Sequence, residues 1–181
     1  QATSLDPEVL CGGCQRRSPP FDRVVAPWLY DELLAYLLHR WKYQNNQRLT
    51  ALLAHLWLTR MGPLGQPPDI AIPVPLHWQK FLRRGWNQSE LLALEMRRQS
   101  SFVKQIHLAS HWVRRHRATA PQATLSARQR KANMHSAFTV RRRCDNLRVA
   151  IIDDVVTTGA TAEAMAIALR DAGARSIELW C

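Results

Sequence analysis

The segment Val149-Ala-Ile-Ile-Asp-Asp-Val-Val-Thr-Thr-Gly-Ala-Thr161 gathers residues that can do chemistry. An apolar, β-branched run leads into two adjacent carboxylates, Asp153 and Asp154. A turn of small residues follows, with hydroxyls at Thr157, Thr158 and Thr161 around Gly159. The apolar run reads as a buried strand and the turn as the entry to a helix. Ligands of parallel sheets bind beyond the carboxyl ends of the strands. The first amides of a helix have no partner within it and favour phosphate. The threonines add donors, and Gly159 permits close approach or positive φ. Two acids beside a phosphate cradle would repel the phosphate unless they have a task of their own. Accepting hydrogen bonds from a ribose diol is one such task, and holding Mg²⁺ is another. The plainer alternative is a turn that only caps a helix. Strand, acid pair, Thr-Thr-Gly and helix start in one register favour the ligand site.

Other residue groups could serve this site or act apart from it. The loop 76–89 carries Arg83, Arg84 and Gly85, which on their own read as a solvated basic loop. Residues 114–143 are strongly basic, with Arg114, Arg115, Arg117, Arg128, Arg130 and Lys131 among them. Such a run is usually a solvated face, but positive charge at phosphate spacing also grips a nucleic-acid backbone. Cys11-Gly-Gly-Cys14 has the spacing of a metal-binding pair, whereas Cys144 and Cys181 lie in a basic loop and at the end of a core strand. Structural zinc needs four ligands, so this pair would bind Zn²⁺ only with further ligands upstream.

The elements that must position these groups can be read from periodicity. Helices are expected over 29–41 and 48–61 from their leucine and tryptophan spacing. Residues 69–75 read as a short buried strand closed by prolines. Asn87-Gln-Ser-Glu90 has a capping-box pattern and should open a helix over 89–99. Another strand falls within 102–113, and Ser126-Ala-Arg-Gln129 is a second capping pattern. The strand over 148–153 is followed by a helix over 162–172, ended by Gly173, and a last strand over 176–180. This order implies right-handed parallel crossovers. The expectation is one α/β domain over 23–181, preceded over 1–22 by the remnant of a cysteine module and linker.

Bulk properties agree. The 181 residues are 46% hydrophobic, enough for a buried core. Lys and Arg number 25 against 14 acids, a net charge of +11. That excess favours polyanionic partners such as nucleic acid or phosphorylated metabolites. No apolar run approaches the roughly 20 residues of a membrane span, and no secretory signal is seen. The expectation is a cytoplasmic protein without membrane insertion.

The stretch from Asp153 to Thr161 resembles the 5-phosphoribosyl 1-diphosphate (PRPP) motif of type I phosphoribosyltransferases. The resemblance implies an α/β fold with a mostly parallel sheet flanked by helices. It implies that Asp153 and Asp154 hold the ribose hydroxyls as the acids of a catalytic site. Val156, Thr157, Thr158, Gly159, Ala160 and Thr161 would cradle the 5′-phosphate, and Mg²⁺ would accompany PRPP. Arg83, Arg84 and Gly85 sit where that family binds pyrophosphate.

Further motifs resemble the ComF family, closest to its GntX/YhgH-like branch. They are Pro73-Val-Pro-Leu-His77, Arg83-Arg-Gly-Trp-Asn-Gln-Ser-Glu-Leu-Leu92, Arg114-Arg-His-Arg-Ala-Thr-Ala-Pro-Gln122 and Leu125-Ser-Ala-Arg128. That family joins a cysteine zinc module to a phosphoribosyltransferase-like domain. The resemblance implies a role in DNA uptake or use of DNA as a nutrient, with single-stranded DNA and a competence helicase as partners. Active PRPP chemistry or non-catalytic sensing of PRPP or a nucleotide remain alternatives. No general base for a nucleobase is evident in the sequence.

Overall fold

The computed structural model describes residues 18–28, 30–44, 46–62, 66–116 and 137–181. Cys11, Cys14, Arg117, Arg128, Arg130, Lys131 and the pattern at Ser126 lie outside the described residues.

Five strands form one parallel sheet: β1 (Arg23–Val25), β2 (Ile70–Pro73), β3 (His107–Leu108), β6 (Arg148–Ile152) and β7 (Ser176–Trp180), in the order β1-β7-β6-β2-β3. Two more, β4 (Val113–Arg115) and β5 (Phe138–Val140), pair antiparallel as a separate ribbon. The strand β6 lies in the middle, with Ile151 registered to Ile72 on one side and Leu179 on the other.

Both faces of this sheet are covered, so β6 is apolar at every central position rather than alternating. Val149 and Ile151 join one core, with Met165 and Leu169 of helix α6 (Ala160–Asp171) and Phe138 of the ribbon. Ala150 and Ile152 join the other. There they meet Trp41 of α1 (Glu32–Tyr43), Trp57 of α2 (Leu49–Arg60), and Leu92 and Met96 of α4 (Gln88–Gln99). Two short helices, α3 (Trp78–Arg84) and α5 (Ser101–Gln105), complete the set.

Local chemistry sets the boundaries. Asp31 caps α1 by accepting from the Leu34 amide at 2.7 Å, so this helix starts at Glu32, three residues beyond the apolar pattern. Asn87 is the N-cap of α4 as expected, but it accepts from the Ser89 amide at 3.2 Å rather than from the Glu90 amide that a capping box uses. The basic segment after β2, expected as a loop, holds α3, which closes at Gly85 with φ 79°. Within 102–113 the chain forms α5, the two-residue β3 and the start of β4. The strand β1 is too short to show a period and was not foreseen.

One ion pair fixes the sheet's central register. Arg148 opens β6 and donates to Asp69 at 2.6 Å, while its own amide donates to the same carboxylate at 2.8 Å. These bonds hold the Asp69 carboxyl below its usual range. At the sheet edge, Asp22 accepts from Arg170 and from the Ile177 amide, tying the approach to β1 onto α6 and β7.

Candidate functional site

The carboxyl end of β6 delivers Asp153 at the sheet's centre. Its amide donates to the Trp180 carbonyl at 2.9 Å, continuing the ladder by one residue beyond the strand. The side chain is therefore fixed by the sheet and is only 9% exposed. Asp153 Oδ1 accepts from the Ser89 hydroxyl at 3.3 Å and from the Asp154 amide at 2.9 Å. Burial pushes its carboxyl up to about 7, with the charge of Asp154 adding to the rise. The Asp154 amide, Lys42 and the Ser89 hydroxyl oppose it.

Asp154 turns the other way. Its Oδ2 lies 2.9 Å from the ammonium of Lys42, near the end of α1. Both side chains are mostly buried, at 17% and 18% exposure. The adjacent acids thus have different partners: a hydroxyl and an amide for one, a lysine for the other.

Beyond the acids, Asp153 and residues 155–162 line a small hollow. Gly159 stands at the N-cap of α6 with φ 74° and supplies no side-chain cap. Thr158 Oγ1 approaches the Ala160 amide only at 3.5 Å, at the limit of a hydrogen bond. Thr157 and Thr158 are exposed. The first turn of a 12-residue helix, flanked by hydroxyls and uncapped by its N-cap residue, is suited to an anion. The residues expected to form the phosphate loop are thus brought together around one hollow.

On the other side of Val155 and Val156 lies an apolar cavity of about 310 Å³, reaching Asp154. Trp28, Trp41, Trp57, Leu38 and Cys181 are among its walls. The three indole N–H groups donate to Leu56 O, Thr50 Oγ1 and Cys181 O, so none of these donors is left for a ligand in the cavity. Burial pushes the Cys181 thiol up to about 12, with Asp153 adding to the rise, and burial also raises Cys144. Neither favours the thiolate that metal binding requires. Among the described residues, no cluster of three or more His, Cys, Asp or Glu could hold a metal ion. A PRPP-borne Mg²⁺ would still fit, because that ion is commonly held by one or two carboxylates plus substrate oxygens. Asp153 and Asp154 would supply the protein's share.

The basic residues divide. Arg83 is exposed on α3, whereas Arg84 lies 5.3 Å from the ring of Tyr43, the residue after Lys42. Lys80, one turn earlier on α3, was not singled out from the sequence. Partial burial lowers its ammonium's proton affinity, as do Arg115, Arg84 and Lys42, while Asp154 opposes. On the ribbon, Arg114 is exposed, and Arg115 stacks over Phe138 at 5.4 Å. Burial lowers Arg115 as well, against the charge of Asp153. Sequence reasoning also missed Lys42 and Ser89. Ser89 stood within a motif read only as a helix cap, and nothing near Lys42 marks it out.

A five-stranded parallel sheet flanked by helices, with an acid pair and a hydroxyl-rich turn at its central carboxyl end, defines a phosphoribosyltransferase-like α/β protein. The chain is 36% identical to the DNA utilization protein YhgH of Salmonella typhimurium, over 97% of this chain and 78% of that protein. The Escherichia coli K12 protein of the same name is also 36% identical, over 94% and 76%. Competence protein F of Haemophilus influenzae is 33% identical, over 94% and 76%. The chain belongs to the ComF family. No protein-family model matches it. Among the described residues, no helix is long and apolar enough to cross a membrane.

Proposed function

We propose that this protein binds PRPP, or a nucleotide of similar shape, at the loop from Asp153 to Thr161 and acts in DNA uptake or utilisation. The observation that carries the binding reading is the buried Asp153 just beyond β6, joined by the short turn 154–159 to the start of α6, whose N-cap residue gives no side-chain cap. The acids would accept from the ribose hydroxyls, and the Thr157–Thr161 turn would donate to the 5′-phosphate. Mg²⁺ would arrive with the diphosphate. The DNA role draws on the names of the relatives and on the net charge of +11. Single-stranded DNA would lie along a basic face that includes Arg114.

Calorimetry with PRPP and Mg²⁺ tests the loop. Wild type should bind, and Asp153→Ala/Asp154→Ala should lose at least tenfold in affinity while remaining folded by circular dichroism. A folded wild type that does not bind PRPP or a nucleotide would make the loop a structural inheritance only.

A second reading, an active phosphoribosyltransferase, draws on one observation. The apolar cavity of about 310 Å³ reaches Asp154, so a flat acceptor could rest beside the ribose. Catalysis would then be mainly positioning and electrostatics. Mg²⁺-dependent pyrophosphate release in the presence of an acceptor would support it. Binding without turnover across a panel of nitrogen acceptors would favour a sensor.

A further inference from the structure

The outward side of α1 carries aromatic rings. Tyr36 and Tyr43 are 57% and 68% exposed. They stand seven residues apart, so they share one side of the helix, about 10 Å from each other along its axis. Each ring has a guanidinium set against it. Arg40, between them, lies 5.6 Å from the centre of the Tyr36 ring, and Arg84 of α3 lies 5.3 Å from that of Tyr43. Arg40 also donates to the Tyr36 hydroxyl at 3.2 Å and to Gln44 Oε1 at 3.1 Å, neither of them an acid. Phe81, three residues before Arg84 on α3, adds a half-exposed ring. Arg40 further borders an open polar hollow, which it shares with Gln44, Asn46, Gln47 and Arg48.

Charge and ring type together decide what this surface fits. From Leu33 to Ser89 the only acid in the sequence is Asp69, and it is tied to Arg148. An apolar protein partner would cover the rings but leave the guanidinium groups without counter-charge. The partner must offer negative charge along its length and flat groups between the charges. A single nucleic-acid strand offers both, because its bases stack on aromatic faces while its phosphates meet arginine. The roughly 10 Å between the two tyrosines spans about three nucleotides at about 3.4 Å per stacked base. A duplex hides its base faces and could not use the rings.

We propose that the exposed side of α1, with Arg84 of α3, is a stacking platform for single-stranded DNA. Bases rest on Tyr36 and Tyr43, and the backbone follows Arg40, Arg84 and the hollow at Arg48. This inference rests on the DNA reading of the protein's function. It adds the surface that receives the bases, on elements other than the strand of Arg114 and the loop after β6.

Labelled oligothymidine and an abasic strand of the same length separate stacking from charge, because they share the phosphates and differ in the bases. Fluorescence anisotropy with both strands across a salt series provides the test. Wild type should bind oligothymidine roughly tenfold more tightly than the abasic strand. Tyr36→Ala and Tyr43→Ala, each confirmed as folded by thermal melt, should weaken oligothymidine about fivefold or more. They should leave the abasic strand within about twofold and the salt slope unchanged. Tyr43→Phe should bind as wild type does. Arg40→Gln should lower the slope of log affinity against log salt by about 0.7. Tyrosine variants that bind oligothymidine as wild type does would overturn the inference and leave the DNA reading standing. So would equal losses for both strands, which would make the tyrosines supports of the fold. A changed oligomeric state in either tyrosine variant, with DNA affinity unaltered, would make this side of α1 an interface between copies and overturn the inference as well. A wild type that binds neither strand would remove the DNA reading and this inference together.

Discussion

The loop after β6 and the cations around it are held in different ways. The loop is one continuous segment, and its position follows from the central strand of the sheet. Its backbone continues the ladder to Trp180, and its acids follow directly on Ile152. The cation cluster is assembled from α1, α3 and β4, which are distant in sequence and meet only through tertiary packing. Its members range from Lys42, at 18% side-chain exposure, to the more exposed Lys80. The loop's geometry is therefore coupled to the stability of the whole domain. The cluster's geometry is coupled mainly to local charge. Such a division lets the charge around the acids change by substitution on α1, α3 or β4 without disturbing the backbone of the turn after β6.

The largest expected effect tests that coupling. Ile152 is 1% exposed and packs in the core shared with Trp41, Trp57 and Trp180. Ile152→Ala should leave a cavity directly behind the acids and cost about 2–5 kcal/mol. For a domain of this size that is a fall in Tm of roughly 5–15 °C. Lys80→Met, at an exposed position, should change stability by less than about 0.5 kcal/mol. Thermal melts of both variants give the comparison directly. A small change for Ile152→Ala would mean that the loop is not supported by the core in the way described.

Asp153 provides the next effect, through pH. In an unfolded chain an aspartate ionises near 4. In the folded protein burial and Asp154 raise this one to about 7. The folded state therefore holds the proton more tightly than the unfolded state. The stability this group contributes is fully present below the unfolded value and is lost as pH rises through about 7. At about 1.4 kcal/mol per pH unit, the loss amounts to a few kcal/mol by pH 8. Asp153→Asn keeps the shape of the protonated acid and removes the titration. Its Tm should draw progressively above that of wild type as pH rises from 5 to 8, and the two should converge at low pH. A gap that does not widen with pH would show that Lys42 and the Ser89 hydroxyl compensate the buried charge fully.

The same contrast explains what could be read from the sequence. The loop was legible because its parts are adjacent: an apolar strand, two acids, small residues and a helix start all fall within 13 positions. Helices α1 and α2 were legible from leucine and tryptophan spacing, and the start of α1 shifted where Asp31 intervened as a cap. The strand β1 was not, because three residues show no period, and its place at the sheet edge depends on pairing with β7. Lys42 carries no local signal. Its role comes from α1 packing over the carboxyl end of the sheet, which no window of sequence records. Ser89 did carry a signal, but the capping pattern of Asn87-Gln-Ser-Glu90 accounted for it, and the bond to Asp153 spans 64 positions. Arg83 and Arg84 looked equivalent as neighbours, yet the turn of α3 separates them, one exposed and the other against Tyr43.

Arg114 and Arg115 show the same separation on a strand and give the smallest expected effect. Successive strand residues point to opposite faces. Arg114 is exposed, whereas Arg115 stacks over Phe138 and feels the charge of Asp153. If single-stranded DNA follows the outer face, Arg114 contributes one phosphate contact and Arg115 none. Each contact adds about 0.7 to the slope of log affinity against log salt for a single strand. Arg114→Ala should reduce that slope by about 0.7 and weaken binding to all sequences alike. Arg115→Ala should leave the slope unchanged. Fluorescence anisotropy with a labelled oligonucleotide across a salt series resolves a difference of this size. Equal reductions for the two variants would place both arginines on the nucleic acid and would remove Arg115 from the cations around the acid pair.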